Sequence, residues 1–179
     1  MISYLKRLKI LIFVWILCLG SDQITKYIAK KLLLPGSVIS LMGDTIRLQY
    51  IKNKGAFLSL GTSLSNETRF WVFMVSVSLA LNIMFLYLIF SKRLSFLPTL
   101  AISLIFCGAM SNLIDRFTYE GAVIDFLNIG IGHLRTGIFN LADMAIICGV
   151  VLLFYFALFK GGRKSKEGQA SQFHKIVIK

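Results

Sequence analysis

Two Asn-x-x-Asp pairs and one isolated aspartate are the residues of this sequence whose types and spacing could do chemistry. Asn112 and Asp115 are three positions apart, as are Asn140 and Asp143, and Asp125 lies between the two pairs. Residues three apart on a helix share one face, so each pair presents an amide beside a carboxyl group. Two carboxyl groups held close together resist ionising at once, so one keeps a proton near neutral pH. Such a dyad can activate water and protonate a leaving amine, which is peptide hydrolysis without a metal.

The same residues also have structural interpretations. Asn140 is a favourable N-cap, and Asp143 in a first helical turn is favoured by the helix dipole. Asp115 at the end of a helix faces unfavourable carbonyl groups, although Arg116 can offset them. Asp125 lies within Val-Ile-Asp-Phe-Leu, among apolar neighbours. The residues alone therefore leave capping and catalytic roles open for Asn140.

The elements that must position these residues are membrane helices. The chain has 179 residues, of which 56% are hydrophobic and only 16% charged, whereas a soluble domain has about 25% charged residues. Crossing a bilayer takes about 20 mostly apolar residues in a helix. We expect one membrane-embedded domain over residues 1–160, all-α with a small β element, with four spans at roughly 10–29, 70–90, 96–115 and 140–159.

The ends of these spans bring the polar residues together. The third span ends near Asn112 and Asp115, and the fourth begins near Asn140 and Asp143, so both pairs emerge on the same side of the membrane. In the first span Asp22 and Lys26 are four residues apart, which predicts a structural ion pair on one helix face.

Two segments lie outside the helices on that side. Residues 38–41 and 46–50 surround a short turn, and the second run alternates apolar with polar residues, which predicts a small sheet or hairpin. It leads to Asn53 and Gly55, where glycine lets the backbone approach a ligand closely. Residues 117–139 contain four glycines and are interpreted as a loop that covers a cleft.

The net charge of +12 comes from basic residues that flank apolar spans, which indicates contact with anionic membrane lipids and argues against a nucleic-acid partner. Their distribution places both termini in the cytoplasm, with residues 161–179 as a basic tail. A cleaved signal peptide at the N-terminus is disfavoured, because the helical pattern continues past it. The three cysteines, which are odd in number and remote from histidine, support neither a disulfide nor a metal site; they are Cys18, Cys107 and Cys148.

Five ordered motifs resemble those of the prolipoprotein signal peptidase family, also called signal peptidase II, over roughly residues 10–160. The blocks are Asp22-Gln23-Ile24-Thr25-Lys26, Asn53-Lys54-Gly55-Ala56-Phe57, Gly108 to Arg116, Val123-Ile124-Asp125-Phe126 and Phe139-Asn140-Leu141-Ala142-Asp143. Ser111 and Cys107 stand where the family commonly has glycine.

The resemblance implies an aspartic endopeptidase of the bacterial inner membrane with four spans and an extracytoplasmic β-cradle, acting without a cofactor. It would cleave a diacylglyceryl-modified prolipoprotein just before the lipid-modified cysteine, near the outer face of the membrane. Asp125 and Asp143 would be catalytic and Asp22 with Lys26 structural, and a monomer is expected. The substrate-binding and supporting residues would be Asn53, Gly55, Asn112, Asp115, Arg116 and Asn140.

Two other functions remain open. A small transporter or channel would use intramembrane carboxylates to bind a cation or relay protons, but its relay residues should be spread along a path through the membrane. A structural scaffold would use the polar helix ends as caps and anchors. Neither alternative accounts for five ordered motifs.

Overall fold

Four long helices and a small sheet make up the computed structural model, which describes residues 3–56, 60–91 and 94–177, with side chains as far as 159. Phe57 of the second motif and the side chains of the basic tail lie outside these residues.

The helices α1 (Tyr4–Leu32), α2 (Asn66–Phe90), α3 (Phe96–Thr118) and α4 (Leu141–Val177) correspond to the four expected spans. Each is long and apolar enough to cross a membrane, α4 by its first part, Leu141–Phe159. Large apolar side chains on their outer faces are exposed, among them Phe13, Leu79 and Phe154. Such faces suit contact with lipid, and the chain is a multi-pass membrane protein.

Two of the helices contain a π-helical turn, at Trp15–Leu19 in α1 and at Trp71–Val75 in α2. Wide turns of this kind interrupt the regular backbone hydrogen bonds of a helix. The indole of Trp15 stacks on Phe106 of α3 with ring centroids 5.3 Å apart, which joins α1 to α3 in the membrane.

The α3–α4 pair is the most closely packed part of the bundle, and two glycines make this possible. A Cβ atom on Gly108 would meet the carbonyl oxygen of Ala142, and one on Gly149 would lie 2.6 Å from the carbonyl oxygen of Ala101. Small residues let membrane helices approach in this way. The start of α4 is thereby fixed against the end of α3.

The sheet is antiparallel in the order β1 (Ile39–Leu41), β2 (Ile46–Asn53), β3 (Val123–Ile131), β4 (Leu134–Arg135). β1 and β2 form the expected hairpin. The pairing of β2 with β3 sets Ile51 opposite Asp125, and Asn53 opposite Val123, beyond a shift in register between Leu48 and Ile51. This register brings the end of β2 beside Asp125.

The interpretation of residues 117–139 as a loop is wrong where the segment forms strands, at β3 and β4. The glycines that suggested a loop have other roles. Gly121, with a φ angle of 84°, lies in the turn before β3, and Gly132, with a φ angle of 56°, lies in the turn between β3 and β4. Gly130 lies where a Cβ atom would run into Arg135 of the neighbouring strand.

Candidate active site

The polar residues singled out by sequence meet where α1, α3, α4, β2 and β3 come together at one end of the helices. Helix α1 supplies Asp22 and Lys26, and α3 supplies Asn112 and Asp115. The cluster is completed by Asn140 and Asp143 at the start of α4, Asn53 at the end of β2 and Asp125 near the start of β3. All eight are buried.

Asp125 is 2% exposed and accepts hydrogen bonds on both carboxyl oxygens. Asn140 Nδ2 donates to Oδ1 at 2.7 Å and Asn53 Nδ2 donates to Oδ2 at 2.9 Å. The pKa of Asp125 is raised to about 7, chiefly by burial and also by the charge of Asp143, while the amide donors of Asn53 and Asn140 and the charge of Lys26 oppose the rise. This carboxyl group therefore holds its proton close to neutral pH.

Asp143 begins α4 in a reciprocal capping arrangement with Asn140. The backbone N–H of Asp143 donates to Asn140 Oδ1 at 2.9 Å, and the backbone N–H of Asn140 donates to Asp143 Oδ2 at 3.2 Å. The other carboxyl oxygen accepts from Asn112 Nδ2 at 2.9 Å. Asn140 is thus an N-cap and also a partner of Asp125, so the structural interpretation holds without excluding the chemical one.

Asn112 connects the two aspartates to the charged residues behind them. Its Oδ1 accepts from Lys26 Nζ at 2.9 Å and from Asn140 Nδ2 at 3.2 Å. Since the same side chain donates to Asp143, the orientation of its amide is determined by its partners on both sides. A rotation of Asn112 would disturb Asp143, Asn140 and Lys26 together.

Lys26 is 2% exposed and forms the expected ion pair with Asp22 at 2.7 Å, together with a second pair with Asp115 at 2.8 Å. Each of these two carboxylates also accepts a hydrogen bond from a backbone N–H group. Asp22 Oδ1 accepts from the N–H of Ala142 at 2.8 Å, and Asp115 Oδ2 accepts from the N–H of Ile124 at 3.1 Å. These residues therefore fix the start of α4 and the strand that carries Asp125.

Arg116 and Asn53 position the segment after β2. Arg116 donates to the carbonyl oxygen of Gly55 at 2.8 Å and to that of Asn112 at 3.3 Å. Asn53 Oδ1 accepts from the N–H of Gly55 at 2.8 Å, and its Nδ2 also donates to the carbonyl oxygen of Ala56 at 3.0 Å. Gly55 is thus held next to Asp125.

A small cavity of about 20 Å³ is bounded by both Asp125 and Asp143, together with Asn53, Gly55, Asn112 and Arg116. A space of this size accommodates about one water molecule. The cavity lies between two carboxyl groups and beside a backbone segment, which suits the activation of a water molecule next to an extended peptide.

Two further residues join this network, Gln23 and Ser111, for which the sequence motifs indicated no role of their own. Gln23 Nε2 donates to Asp115 Oδ1 and to Ser111 Oγ, each at 2.9 Å, and Ser111 Oγ donates to Asp22 Oδ2 at 2.7 Å. The spacing of Asp22 and Gln23 put them on different parts of a helix surface. Only the rotation of α1 against α3 shows that both reach the same acids.

The three cysteines are free, and the described residues contain no group of three or more His, Cys, Asp or Glu side chains placed to hold a metal ion. Asp22, Asp115, Asp125 and Asp143 are instead occupied by amide, backbone and ammonium donors. The donor set is that of a hydrogen-bonded acid cluster.

The fold and the site together define a multi-pass membrane protein with a buried pair of carboxyl groups at one end of its helix bundle. Comparison with known proteins is consistent with a peptidase. A family model described as signal peptidase (SPase) II matches residues 14–159. The chain belongs to the signal peptidase II family.

Curated relatives include the lipoprotein signal peptidase of Mycobacterium leprae (strain Br4923), which is 33% identical over 161 residues covering 86% of this chain and 74% of the relative. That of Syntrophomonas wolfei is 37% identical over 145 residues, covering 81% and 90%. A solved bacterial membrane enzyme superposes with a TM-score of 0.72 at 29% identity, covering 89% of this chain and 91% of its own. The protein is therefore a peptidase of the family that processes prolipoprotein signal peptides.

Proposed function

We propose that this chain is an aspartic endopeptidase that removes the signal peptide of diacylglyceryl-modified prolipoproteins by cleaving just before the modified cysteine. The observation that carries the proposal is the water-sized cavity bounded by Asp125 and Asp143, each of them held by amide donors. Family membership supplies the substrate class, and the carboxyl pair supplies a mechanism that needs no metal ion and no serine or cysteine nucleophile.

In the proposed mechanism Asp125 carries the proton and Asp143 is ionised. The raised pKa of Asp125 favours this assignment. Asp143 lies in the first turn of α4 and accepts from the backbone N–H of Asn140, where the helix dipole stabilises a negative charge. Two interacting carboxyl groups titrate as a pair, so the assignment describes the dominant form of the dyad near neutral pH.

Hydrolysis then proceeds in two steps. Asp143 takes a proton from the water molecule as its oxygen attacks the carbonyl carbon, while Asp125 gives its proton to the carbonyl oxygen. In the second step the tetrahedral intermediate collapses: its hydroxyl proton returns to Asp125, the carbon–nitrogen bond breaks, and Asp143 delivers its proton to the leaving amine. The dyad ends with the proton count it began with.

The other site residues support this pair. Asn112 and Asn140 orient the two carboxyl groups, and Asn53 with Arg116 places Gly55 at the cavity for contact with the extended substrate backbone. Lys26 with Asp22 and Asp115 holds α1, α3 and α4 in register. Asp115 accepts from Lys26, Gln23 and Ile124, which favours a supporting role over a catalytic one. Every proposed residue comes from one chain, so a monomer suffices.

We place both termini in the cytoplasm and the active site near the outer face of the bacterial inner membrane, on the distribution of Lys and Arg. The apolar signal helix then enters from the lipid, its diacylglyceryl chains remain in the bilayer, and the scissile bond reaches the end of the bundle. A membrane-impermeant thiol reagent applied to spheroplasts should label a Glu120→Cys variant. Labelling only after lysis would reverse the orientation.

The decisive experiment compares cleavage of a diacylglyceryl-modified prolipoprotein with that of its unmodified precursor by the purified protein in detergent. Asp125→Asn and Asp143→Asn should each abolish cleavage and leave the folded protein intact. Asp44→Asn is the matched control, since this carboxyl group lies in the β1–β2 turn, where it pairs with Arg47 at 2.6 Å. Near-normal turnover by pure Asp125→Asn protein would remove that residue from the dyad and redirect attention to Asp115.

A transporter remains the second candidate, but the placement of the buried acids disfavours it. Asp22, Asp115, Asp125 and Asp143 form one cluster at one end of the bundle, and no charged residue occurs in α1 between Lys9 and Asp22. A proton path through the membrane would need groups spread along its depth. Proton flux in liposomes that is lost in Asp143→Asn would favour transport.

A further inference from the structure

A second and larger cavity, of about 480 Å³, lies beside the active site between the start of α2, the end of α3 and the segment after β2. Three cations line it, Lys54, Arg69 and Arg116, against one carboxylate, Glu120. Arg116 also borders the small cavity with the two aspartates, so the two spaces adjoin. The mechanism above uses neither Lys54 nor Arg69.

None of the three cations forms an ion pair within the part of the chain that the structure describes. Arg116 is 8% exposed, and its Nε is a buried nitrogen with no hydrogen-bond partner among the described residues. Lys54 forms no hydrogen bond or ion pair within the part of the chain that the structure describes. Arg69 donates hydrogen bonds to the carbonyl oxygen of Thr62 and to Asn66 Oδ1, which are both neutral groups. An excess of positive charge thus faces this space without a matching anion.

Besides Asn66 and Gly121, the rest of the lining consists of three apolar side chains from the membrane spans. Phe70 and Met74 lie in the first turns of α2, and Phe117 lies near the end of α3. Phe70 is 49% exposed and Phe117 is 66% exposed. A ligand with a negative head and hydrocarbon chains fits such a wall better than a soluble anion does, because burying hydrocarbon against it is favourable.

We propose that this cavity binds the phosphodiester headgroup of an anionic phospholipid, with Lys54, Arg69 and Arg116 around the phosphate and Phe70, Met74 and Phe117 against the start of an acyl chain. The diacylglyceryl group of the proposed substrate carries no phosphate and no charge, so a phospholipid would be a ligand distinct from the substrate, although Arg116 borders both cavities. The proposal does not depend on the proposed peptidase mechanism, since it rests on the second cavity alone.

The test is lipid retention by the purified full-length protein in neutral detergent, measured by native mass spectrometry. The probes are phosphatidylglycerol, phosphatidylcholine and diacylglycerol with identical acyl chains. Phosphatidylglycerol should be retained in preference to the other two. Lys54→Gln and Arg69→Gln should each weaken its retention by about fivefold, the effect of one cation near an anionic headgroup.

Two further variants sharpen the comparison. Lys31→Gln removes an exposed cation from the end of α1 on the same side of the membrane, so it should leave retention unchanged. Glu120→Asn should strengthen retention, because it removes the one carboxylate of the cavity at a φ angle of 54°, which asparagine tolerates. If Arg69→Gln unfolds through loss of its contact with Thr62, Lys54→Gln still decides, since Lys54 loses no described partner.

Several results would overturn the proposal. Equal retention of the three lipids would do so, as would a loss in Lys31→Gln as large as that in Lys54→Gln. Binding of inorganic phosphate with no preference for phosphatidylglycerol would identify a site for soluble anions. If Lys54→Gln instead impaired cleavage of substrates with acidic residues after the cysteine, with lipid retention unchanged, the cavity would serve the substrate peptide.

One result would support the proposal directly. Competition by inorganic phosphate against retained phosphatidylglycerol would show that the phosphate itself is recognised.

Discussion

Replacing Asn53 with alanine tests whether the protonation of Asp125 governs turnover. Asn53 Nδ2 donates to Asp125 Oδ2 at 2.9 Å and stabilises the ionised form of that carboxyl group. A hydrogen bond to a charged group contributes about 1.5–3 kcal/mol, and one pKa unit corresponds to about 1.4 kcal/mol. Loss of this donor should therefore raise the pKa of Asp125 by about 1–2 units.

The consequence is a shift in the pH dependence of cleavage. If Asp125 acts as the protonated member of the dyad, kcat/KM of the wild-type protein should fall as the pH rises through about 7. In Asn53→Ala this basic limb should lie about 1–2 units higher. The maximum value of kcat/KM should also drop, because Asn53 holds the backbone of Gly55 and Ala56. The test therefore uses the pH at which kcat/KM falls and not its maximum value.

The assay is cleavage of a lipid-modified prolipoprotein in detergent over pH 5–10, with kcat/KM taken at each pH. Asn82→Ala is the matched control, since its amide lies in α2 and donates to the carbonyl oxygen of Ser78, away from the dyad. Its basic limb should coincide with that of the wild-type protein. A limb in Asn53→Ala that stays in place or moves to lower pH would refute the assignment of the proton to Asp125.

Three further outcomes follow from the same contacts. Lys26→Met should destabilise the protein by about 3–5 kcal/mol, because Asp22 and Asp115 remain buried without their cation; an unchanged melting temperature in detergent would contradict this. Gly149→Ala should lower the free energy of unfolding by about 1–3 kcal/mol, because its Cβ would lie 2.6 Å from the Ala101 carbonyl oxygen. The control Gly20→Ala, whose Cβ would have nothing within 4 Å, should not destabilise the protein. Equal melting temperatures of the two variants would contradict this prediction. As the pH rises from about 4 to about 7, the wild-type protein should lose stability, because Asp125 is ionised in the unfolded chain but still protonated in the folded one. Asp125→Asn lacks this loss, so its stability relative to wild type should improve by at most about 4 kcal/mol between pH 4 and pH 8. An equal difference between the two melting temperatures at both pH values would disprove this.

The membrane helices were the most predictable part of the fold, because long uncharged runs have few alternatives in a bilayer. The ends were less predictable. The first span was expected at 10–29 and the helix runs over Tyr4–Leu32. Basic residues near both ends limit the length of the uncharged run, yet the helix continues through them, because its backbone hydrogen bonds do not depend on what the side chains face.

The residues of the candidate site could be selected from their types and spacing, and their meeting at one end of the helix bundle could be predicted from the number of spans. The sheet around Asp125 could not be obtained in this way. Val123 to Phe126 are buried on both faces, so they show no strand alternation, and their pairing with β2 is a long-range contact. Ser111 likewise read as a small substitution in a helix contact, although its hydroxyl completes the hydrogen bonds of Asp22 and Gln23.

The buried charges also account for a shared proton at the cavity. Lys26 pairs with Asp22 and Asp115, neither of which borders the small cavity, and these two acids are further satisfied by backbone N–H groups. Asp125 and Asp143 receive amide donors and form no direct ion pair, and Arg116 is the one cation among the described residues that line their cavity, so ionising both would set two buried carboxylates against a single cation. One retained proton removes half of that charge. We infer that the same arrangement that ties α1, α3 and α4 together favours the singly protonated carboxyl pair that the proposed hydrolysis requires.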